Sequence, residues 1–295
     1  MDLAYWGLRE NPFRIALTTG SVALLPGQAV ALQNITTSLL DGERVALLTG
    51  QHGVGKTLLA HQLTAQYENR GLHTAWAACA PVMDSQALFQ MLLADCGLPF
   101  AIRSTVELRM NLMEYLLPCI GEEKSTLLIV DEAQHVPVTM LEELRPLIET
   151  TTPLGHPGVQ LLLVGTELLL EKVRQASEMG LFHWIGCCSM LKPLELEEAA
   201  TFLQEQWKRA GGNPATQFSE EAWNMIAEMG QGVLLHMNRL ARHALRLAEN
   251  GEQAQVDAEA VWEAASSTGV TTAQQEQEET MLVPMPARGT LKESA

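Results

Sequence analysis

The sequence has no long hydrophobic segment. Its apolar runs are short, as at Leu127–Val130 and Leu161–Val164, whereas a membrane-spanning helix needs about 18 to 20 apolar residues. The first residues, Met1–Trp6, contain neither the basic region nor the apolar stretch of a secretory signal. The sequence therefore predicts a protein with no transmembrane segment and no signal peptide.

Basic residues are scarce. Lys and Arg number 19 against 35 Asp and Glu, which leaves a formal net charge of −16. Nonspecific affinity for DNA comes largely from Lys and Arg that displace counterions. This balance therefore disfavours a protein whose main task is to wrap duplex DNA, although it leaves a local basic surface open.

Cysteine is sparse as well. The five cysteines are odd in number and scattered, and none forms a C-x-x-C pair, which is typical of free thiols in a reducing cytoplasm. The adjacent Cys187 and Cys188 are either a redox element or, in the simpler interpretation, two small buried residues on a strand. A cytoplasmic location is expected.

The remaining composition is that of a globular protein of about two domains. Hydrophobic residues make up 47% and charged residues 18%, far from the composition of a disordered chain. From Val45 onward, short apolar segments alternate with helical patterns. The predicted strands are 45–49, 74–79, 127–130 and 161–164, and the predicted helices are 27–40, 56–69, 84–96, 107–117 and 139–149. This alternation predicts a parallel α/β sheet covered by helices on both faces.

After Pro193 the pattern becomes purely helical. Amphipathic helices are predicted over 195–210, from residue 219, over about 233–249 and over about 258–265. Ser219 is a favourable N-cap with Glu220 and Glu221 in the first turn after it. From residue 268 the Gln- and Glu-rich sequence predicts a disordered tail. The expected domains are therefore an α/β domain over 1–194, an all-helical domain over 195–267 and a tail over 268–295.

One motif indicates a specific chemistry. Gly50–Thr57 reads G-x-x-x-x-G-K-T between a predicted strand and a predicted helix, which is the context of a phosphate-binding loop. Its backbone N–H groups would face the phosphates, and the start of the helix adds a favourable field. Lys56 would reach the β- and γ-phosphates, and Thr57 would ligate Mg²⁺. The candidate nucleotide-binding residues are Gly50, Gln51, His52, Gly53, Val54, Gly55, Lys56, Thr57 and Leu58.

The third predicted strand ends in two carboxylates, which is the Walker B pattern. Asp131 would hold Mg²⁺, and Glu132 would polarise the water that attacks the γ-phosphate. The next strand ends near Thr166, which would approach the γ-phosphate, cap the following helix, or do both. The candidate catalytic residues are Lys56, Glu132 and Thr166, and the candidate metal ligands are Thr57 and Asp131.

Four stretches together resemble the AAA+ ATPases of the general secretion pathway protein A type, a family with relatives in pilus assembly and transposition. They are Trp6–Phe13, similar to the family's GLxxNPF; Gly50–Thr57, its Walker A loop; Asp131–Gln134 with Leu141–Arg145, its DEAQ and LEELR; and Leu191–Leu194 with Glu197 and Glu198, its L-x-P-L and the start of its lid. The resemblance implies a P-loop AAA+ fold with a C-terminal helical lid.

The resemblance also implies a function. It implies ATP and Mg²⁺ as ligands, and a homo-oligomer with nucleotide between the α/β domain and the lid, often between subunits. It implies that the segment around Asn11–Leu32 helps to close the adenine pocket. It further implies that the nucleotide state is passed to a protein partner, which in the secretion systems lies at the inner membrane.

Two arginines of the family pattern are missing. The family has a QRIxxR pattern before L-x-P-L, where residues 183–188 contain no arginine, and a sensor arginine where this sequence has Leu235. An arginine at the transferring phosphate contributes roughly 10³–10⁵ in rate, so we expect tight nucleotide binding and weak or partner-dependent hydrolysis. Three explanations stay open: another arginine such as Arg174 or Arg239 substitutes, a partner supplies one, or the protein is a nucleotide-gated switch.

The sequence thus predicts a cytoplasmic AAA+ ATPase that couples ATP binding and slow hydrolysis to a protein partner of the secretion or pilus-assembly type. The alternative is a nucleotide-dependent, DNA-binding regulator of transposition or recombination, which the net charge disfavours. A small-molecule kinase fits less well, because Glu132 beside Asp131 suits the activation of water.

Overall fold

The chain folds into two compact units. The computed structural model describes residues 2–14, 24–101, 104–175 and 180–268. Among these residues, one unit is α/β and is formed by residues 14–202 and 232–235, and the other is helical and is formed by residues 2–13, 203–231 and 236–268. The predicted tail lies outside the described residues, except for Thr268, which ends the last helix.

A five-stranded parallel sheet organises the α/β unit. The strands are β1 Val45–Gly50, β2 His73–Ala78, β3 Thr126–Asp131, β4 Val159–Gly165 and β5 Ile185–Leu191. Their order is β2-β3-β4-β1-β5, and every neighbouring pair is parallel. The three central strands are buried along their whole length. This burial on both faces explains why their sequences are nearly continuous apolar runs.

Helices cover both faces of this sheet. They are α1 Pro26–Leu40, α2 Lys56–Asn69, α3 Ser85–Asp95, α4 Thr105–Gly121, α5 Val138–Glu142, α6 Arg145–Ile148 and α7 Glu167–Gln175. Ile35 of α1 and Leu63 of α2 share a core cluster with Leu48 of β1. Leu88 of α3 and Leu112 of α4 share the opposite cluster with Leu47. Successive strand residues therefore enter opposite cores, as a period of two requires.

The register brings the ends of three strands to one edge of the sheet. Leu48 of β1 pairs with Val164 of β4, and Val130 of β3 pairs with Leu163 of β4. The glycine-rich loop, the two carboxylates and Thr166 follow these strands directly. The carboxyl ends of parallel strands are where α/β folds bind ligands.

Some details of the α/β unit differ from the sequence-based expectations. The helix expected over 139–149 is divided into α5 and α6, because Pro146 occupies the first turn of α6 and has no N–H to continue the helix. Cys187 and Cys188 do lie on a strand, but Cys188 is exposed rather than buried. The reason is that β5 is an edge strand whose alternate residues, including Met190, face solvent.

The helical unit has an aromatic core around Trp207. Its helices are the last part of α8 Leu196–Arg209, α9 Pro214–Gln217, α10 Glu220–Met229, most of α11 Leu234–Asn250, and α12 Ala258–Thr268. The fully buried Trp207 stacks on Phe13 with 5.9 Å between ring centroids, and Trp6 packs edge-on at 6.2 Å. The N-terminal residues, which we expected within the α/β domain, thus pack with these helices in the structure.

The helices after Pro193 lie close to their predicted positions. Ser219 caps α10 as expected, since its hydroxyl accepts a hydrogen bond of 3.0 Å from the N–H of Ala222. The short α9 was not predicted, because four residues are too few for a periodic pattern. Within the described part of the chain, no helix combines the length and the apolar character needed to cross a membrane.

Candidate functional site

The loop between β1 and α2 depends on glycine at its centre. Gly53 has a φ of +81°, a left-handed conformation that other residues rarely adopt. A Cβ atom at this position would lie 2.7 Å from Cβ of Leu235 and 2.9 Å from Cγ1 of Val233. The N–H of Leu235 also donates a hydrogen bond of 3.2 Å to the carbonyl oxygen of Gly53. The first residues of α11 therefore hold the loop in place.

Lys56 is held over this loop. Its side chain is nearly buried, and Nζ donates a hydrogen bond of 3.0 Å to the carbonyl oxygen of Gln51. Burial lowers the pKa of Lys56, while the carboxylates of Glu132 and Asp131 oppose that shift. An ammonium group held over a glycine-rich loop of this kind can bind a phosphate.

Thr57 and Asp131 form the second part of the site. Oγ1 of Thr57 donates a hydrogen bond of 2.8 Å to Oδ2 of Asp131, whose other oxygen accepts one of 2.9 Å from the N–H of Glu132. Burial raises the pKa of Asp131, and the hydrogen bond from Thr57 opposes that shift. Hydroxyl and carboxylate oxygens are the donors that Mg²⁺ prefers, so this pair fits the expected metal.

Gln134, to which the sequence assigned no role, connects Glu132 to Thr166, the residue that follows β4. Nε2 of Gln134 donates a hydrogen bond to Oε2 of Glu132, and Oε1 of Gln134 accepts one of 3.1 Å from the N–H of Thr166. In the sequence, Gln134 is recognisable only as the last residue of the DEAQ motif. No local pattern predicts this contact, because Thr166 lies 32 residues further along the chain.

Thr166 lies at the start of α7, as predicted, but its side chain does not cap that helix. Its carbonyl oxygen accepts a hydrogen bond of 3.0 Å from the N–H of Leu169. Its hydroxyl is buried and has no hydrogen-bond partner among the described residues. Of the two roles expected for Thr166, the hydroxyl cap is therefore not observed. The hydroxyl is left with the capacity to bind a ligand.

A cavity of about 280 Å³ lies beside the loop within the α/β unit. The start of α1 contributes Leu25 and Gln28, the loop contributes Val54, and further lining includes Leu194, Glu198 and Leu234. The amide of Gln28 is buried and donates a hydrogen bond of 3.4 Å to the carbonyl oxygen of Val54. Concave sites with apolar walls and a few placed polar groups are typical of base-binding pockets.

The resemblance implies that the segment around Asn11–Leu32 helps to close the adenine pocket, and part of this segment lines the cavity. Residues 24–32 of that segment lead into and include the start of α1, which lines the cavity. Asn11–Phe13 instead pack in the helical unit, where Phe13 is fully buried. Residues 15–23 lie outside the described part of the chain.

At one of the two positions where the family pattern has an arginine, and near the other, different residues make contacts in the structure. Leu235 packs its side chain against Gly53. Near the other position, the guanidinium of Arg44 lies 4.9 Å from the ring centroid of Trp184 and donates a hydrogen bond of 2.9 Å to the carbonyl oxygen of Thr150. Arg174 is exposed on α7.

Comparison with known proteins identifies a matching family model and a similar protein. Residues 39–173 match the family model described as "AAA domain". General secretion pathway protein A of Aeromonas hydrophila is 26% identical over 246 residues, which are 83% of this chain and 44% of the relative. The chain thus spans less than half the length of this curated relative.

Solved structures show the same fold at low sequence identity. ORC2 of Aeropyrum pernix, in ADPNP and ADP complexes, is 18% identical with a TM-score of 0.67 over 90% of this chain and 73% of its own. Cdc6p of Pyrobaculum aerophilum is 17% identical with a TM-score of 0.69 over 90% and 71%. A mutant form of RuvB from Thermotoga maritima is 15% identical with a TM-score of 0.52 over 81% and 69%. The chain therefore has the P-loop AAA+ fold, residues 39–173 of it match an AAA domain, and it is similar to general secretion pathway protein A, which its motifs also resemble.

Proposed function

We propose that this protein binds ATP together with Mg²⁺, hydrolyses the ATP slowly and passes its nucleotide state to a protein partner. The observation that carries the proposal is the hydrogen bond between Thr57 and Asp131, with the ammonium of Lys56 beside it. This contact supports the proposal, because a hydroxyl and a carboxylate, both suited to bind Mg²⁺, lie together beside the loop that would hold phosphates. AAA+ membership supports nucleotide-dependent activity.

Each candidate residue of the site has a role in the proposed binding and hydrolysis of ATP. The loop N–H groups and Lys56 bind the phosphates, and Thr57 and Asp131 hold Mg²⁺. The bound metal would neutralise charge on the phosphate oxygens. Glu132 orients and polarises the attacking water, and the hydroxyl of Thr166 approaches the γ-phosphate. The buried Thr166 hydroxyl, which has no hydrogen-bond partner in the described chain, supports the last assignment.

The proposal includes slow hydrolysis. At the position of the family's sensor arginine, the apolar side chain of Leu235 packs on the loop. A leucine supplies no positive charge to the transferring phosphate, and such a charge accelerates phosphoryl transfer by roughly 10³–10⁵. A partner-supplied arginine, or use of the bound nucleotide as a switch, is consistent with this arrangement.

The biological setting is a further part of the proposal. We infer a homo-oligomer in the cytoplasm that acts on a secretion or pilus-assembly partner, which would lie at the inner membrane. Similarity to general secretion pathway protein A supports this choice over the DNA-binding alternative, and the net charge of −16 points the same way.

The test combines binding, turnover and assembly. Calorimetric titration should show Mg·ATP binding by the wild type and none by Lys56→Ala, and mass photometry should show ATP-dependent assembly. Affinity purification of Glu132→Gln and Lys56→Ala should then retain different partners, with an envelope protein bound to the ATP state alone. Equal nucleotide binding by wild type and Lys56→Ala would contradict the proposal, and salt-sensitive, ATP-dependent assembly on DNA would favour the alternative.

A further inference from the structure

Every polar atom at the end of the Gln134 side chain faces a partner. Nε2 donates to Oε2 of Glu132 and lies 3.4 Å from Nε2 of His135, while Oε1 accepts the N–H of Thr166 at 3.1 Å. A backbone N–H can only donate and an ionised carboxylate can only accept. These two partners therefore fix which end of the amide is nitrogen and which is oxygen.

The main chain of the same turn is held independently. The ammonium of Lys172, on α7, donates hydrogen bonds to the carbonyl oxygens of Gln134 and Val136, the second at 3.2 Å. The absence of a side chain at Gly165 leaves room for the amide, because a Cβ atom there would lie 2.7 Å from Oε1 of Gln134. The turn that follows the Walker B carboxylates is thus joined to the end of β4 and to α7.

We propose that Gln134 is a positioning residue that sets the orientation of the Glu132 carboxylate for hydrolysis. This inference rests on the proposed ATPase function. The terminal torsion of a glutamate is broad and roughly two-fold, so a free carboxylate samples many orientations. Gln134 anchors one oxygen of Glu132 and leaves the other to hold the water. It also links Glu132 to the Thr166 peptide, at the edge where the γ-phosphate is expected.

Replacing a residue that positions a catalytic group affects the kinetics differently from replacing a residue that only packs. Orientation of a catalytic group raises the rate of the chemical step without changing the affinity for the ground-state substrate. Loss of the Gln134 amide should therefore lower kcat for ATP hydrolysis and leave KM and the Kd of ADP nearly unchanged. A residue that only joins the turn to β4 would instead affect stability and nucleotide affinity together.

Two Gln134 variants and one control separate these roles. Gln134→Met keeps the volume and removes both hydrogen bonds, whereas Gln134→Glu keeps an acceptor for Thr166 and removes the donor to Glu132. Both should lower kcat by roughly 10- to 100-fold, with KM and thermal unfolding close to wild type. Lys172→Met loosens the main chain of the same turn and should reduce kcat by less than about threefold. An unchanged kcat in both Gln134 variants, or an equal loss in Lys172→Met, would overturn the inference.

A double-mutant cycle tests whether Gln134 acts through Glu132. Residues that act as a unit show strongly non-additive losses. In a Glu132→Gln background, Gln134→Met should therefore cause almost no further decrease in kcat. A full additional decrease would show that Gln134 acts elsewhere and would overturn the inference.

A transition-state analogue separates failure of this inference from failure of the proposed function. Wild type should bind Mg·ADP with aluminium fluoride more tightly than Mg·ADP alone, and Gln134→Met should lose at least roughly tenfold of that gain. A wild type that shows neither this gain nor hydrolysis above the Lys56→Ala background would contradict the ATPase proposal, and the inference with it. An active wild type whose Gln134 variants keep both properties would contradict the inference alone.

Discussion

The Thr57 hydroxyl and the Asp131 carboxylate, 74 residues apart in the sequence, are joined by a hydrogen bond of 2.8 Å. Thr57 lies in the first turn of α2 and Asp131 ends β3, and in the sheet β4 lies between β3 and the strand that precedes the loop. The contact therefore exists only once three parallel strands have paired. It brings together the two oxygen donors that we propose for Mg²⁺.

Replacing Thr57 with valine should weaken the binding of Mg·ATP specifically. Valine has nearly the same shape but no hydroxyl, so the metal would lose one ligand while the loop backbone stays intact. We expect the Kd of Mg·ATP to rise on the order of tenfold, which is about 1.4 kcal/mol. Calorimetric titration with and without EDTA measures this change. Thr57→Ser should behave like wild type, and equal weakening in EDTA would argue against a metal ligand.

Replacing Glu132 with glutamine should trap the protein with ATP bound. Glutamine keeps the size of the side chain but cannot accept the proton of the attacking water, and removal of a general base costs typically 10²–10⁴ in rate. Chromatography of the nucleotide recovered after incubation should show ATP in Glu132→Gln and ADP in wild type. Recovery of ADP from both proteins would contradict this role.

The wild type itself should turn over slowly. Leu235 and residues 183–188 provide no arginine at the positions where the family usually has one, so the steady-state rate of the purified protein should be low. Fast, partner-independent hydrolysis that Arg174→Ala abolishes would instead show that the exposed Arg174 substitutes.

Gly53→Ala should impair nucleotide binding because two independent constraints act at this position. The alanine would have to adopt the unfavourable φ of +81°, and its Cβ atom would collide with Leu235 and Val233. We expect a loss of at least roughly tenfold in ATP affinity. Gly71→Ala is the matched control, since Gly71 also has a positive φ of +73° but open space around it. It should cost about 1 kcal/mol of stability and leave the affinity unchanged; equal effects would exclude the collision with α11 as the cause.

Trp207→Ala should destabilise the helical unit strongly. Trp207 is fully buried among Trp6, Phe13 and Phe218, and its Nε1 donates a hydrogen bond of 2.8 Å to Oε1 of Gln217. Loss of a buried tryptophan typically costs about 3–5 kcal/mol, which urea unfolding would measure.

Trp262→Ala is the control for that measurement. The Trp262 side chain is 61% exposed, so its removal should change the free energy of unfolding by less than about 0.5 kcal/mol. Similar losses for both tryptophans would show that the aromatic cluster is not the core of the unit.

The sequence alone was sufficient for the central strands, for most helices and for the fold. Val45–Gly50, Thr126–Asp131 and Val159–Gly165 are buried on both faces, so hydrophobic runs mark them without tertiary information. The glycines of the loop motif by themselves indicate that the loop adopts backbone conformations that other residues rarely adopt. These features are local, and a local pattern can be recognised before the chain is folded.

The tertiary structure alone decided which distant residues meet at the site and in the cores. The amide of Gln134 reaches Thr166 across 32 residues, and Leu235 packs on Gly53. Residues 2–13 join the helical unit, where Gln217 donates a hydrogen bond to the carbonyl oxygen of Trp6 across 211 residues. Such contacts depend on strand register and on how helices pack, which no spacing within one segment encodes. The hydrophobic period therefore determines the elements, whereas the partners of each polar side chain are set by the assembled fold.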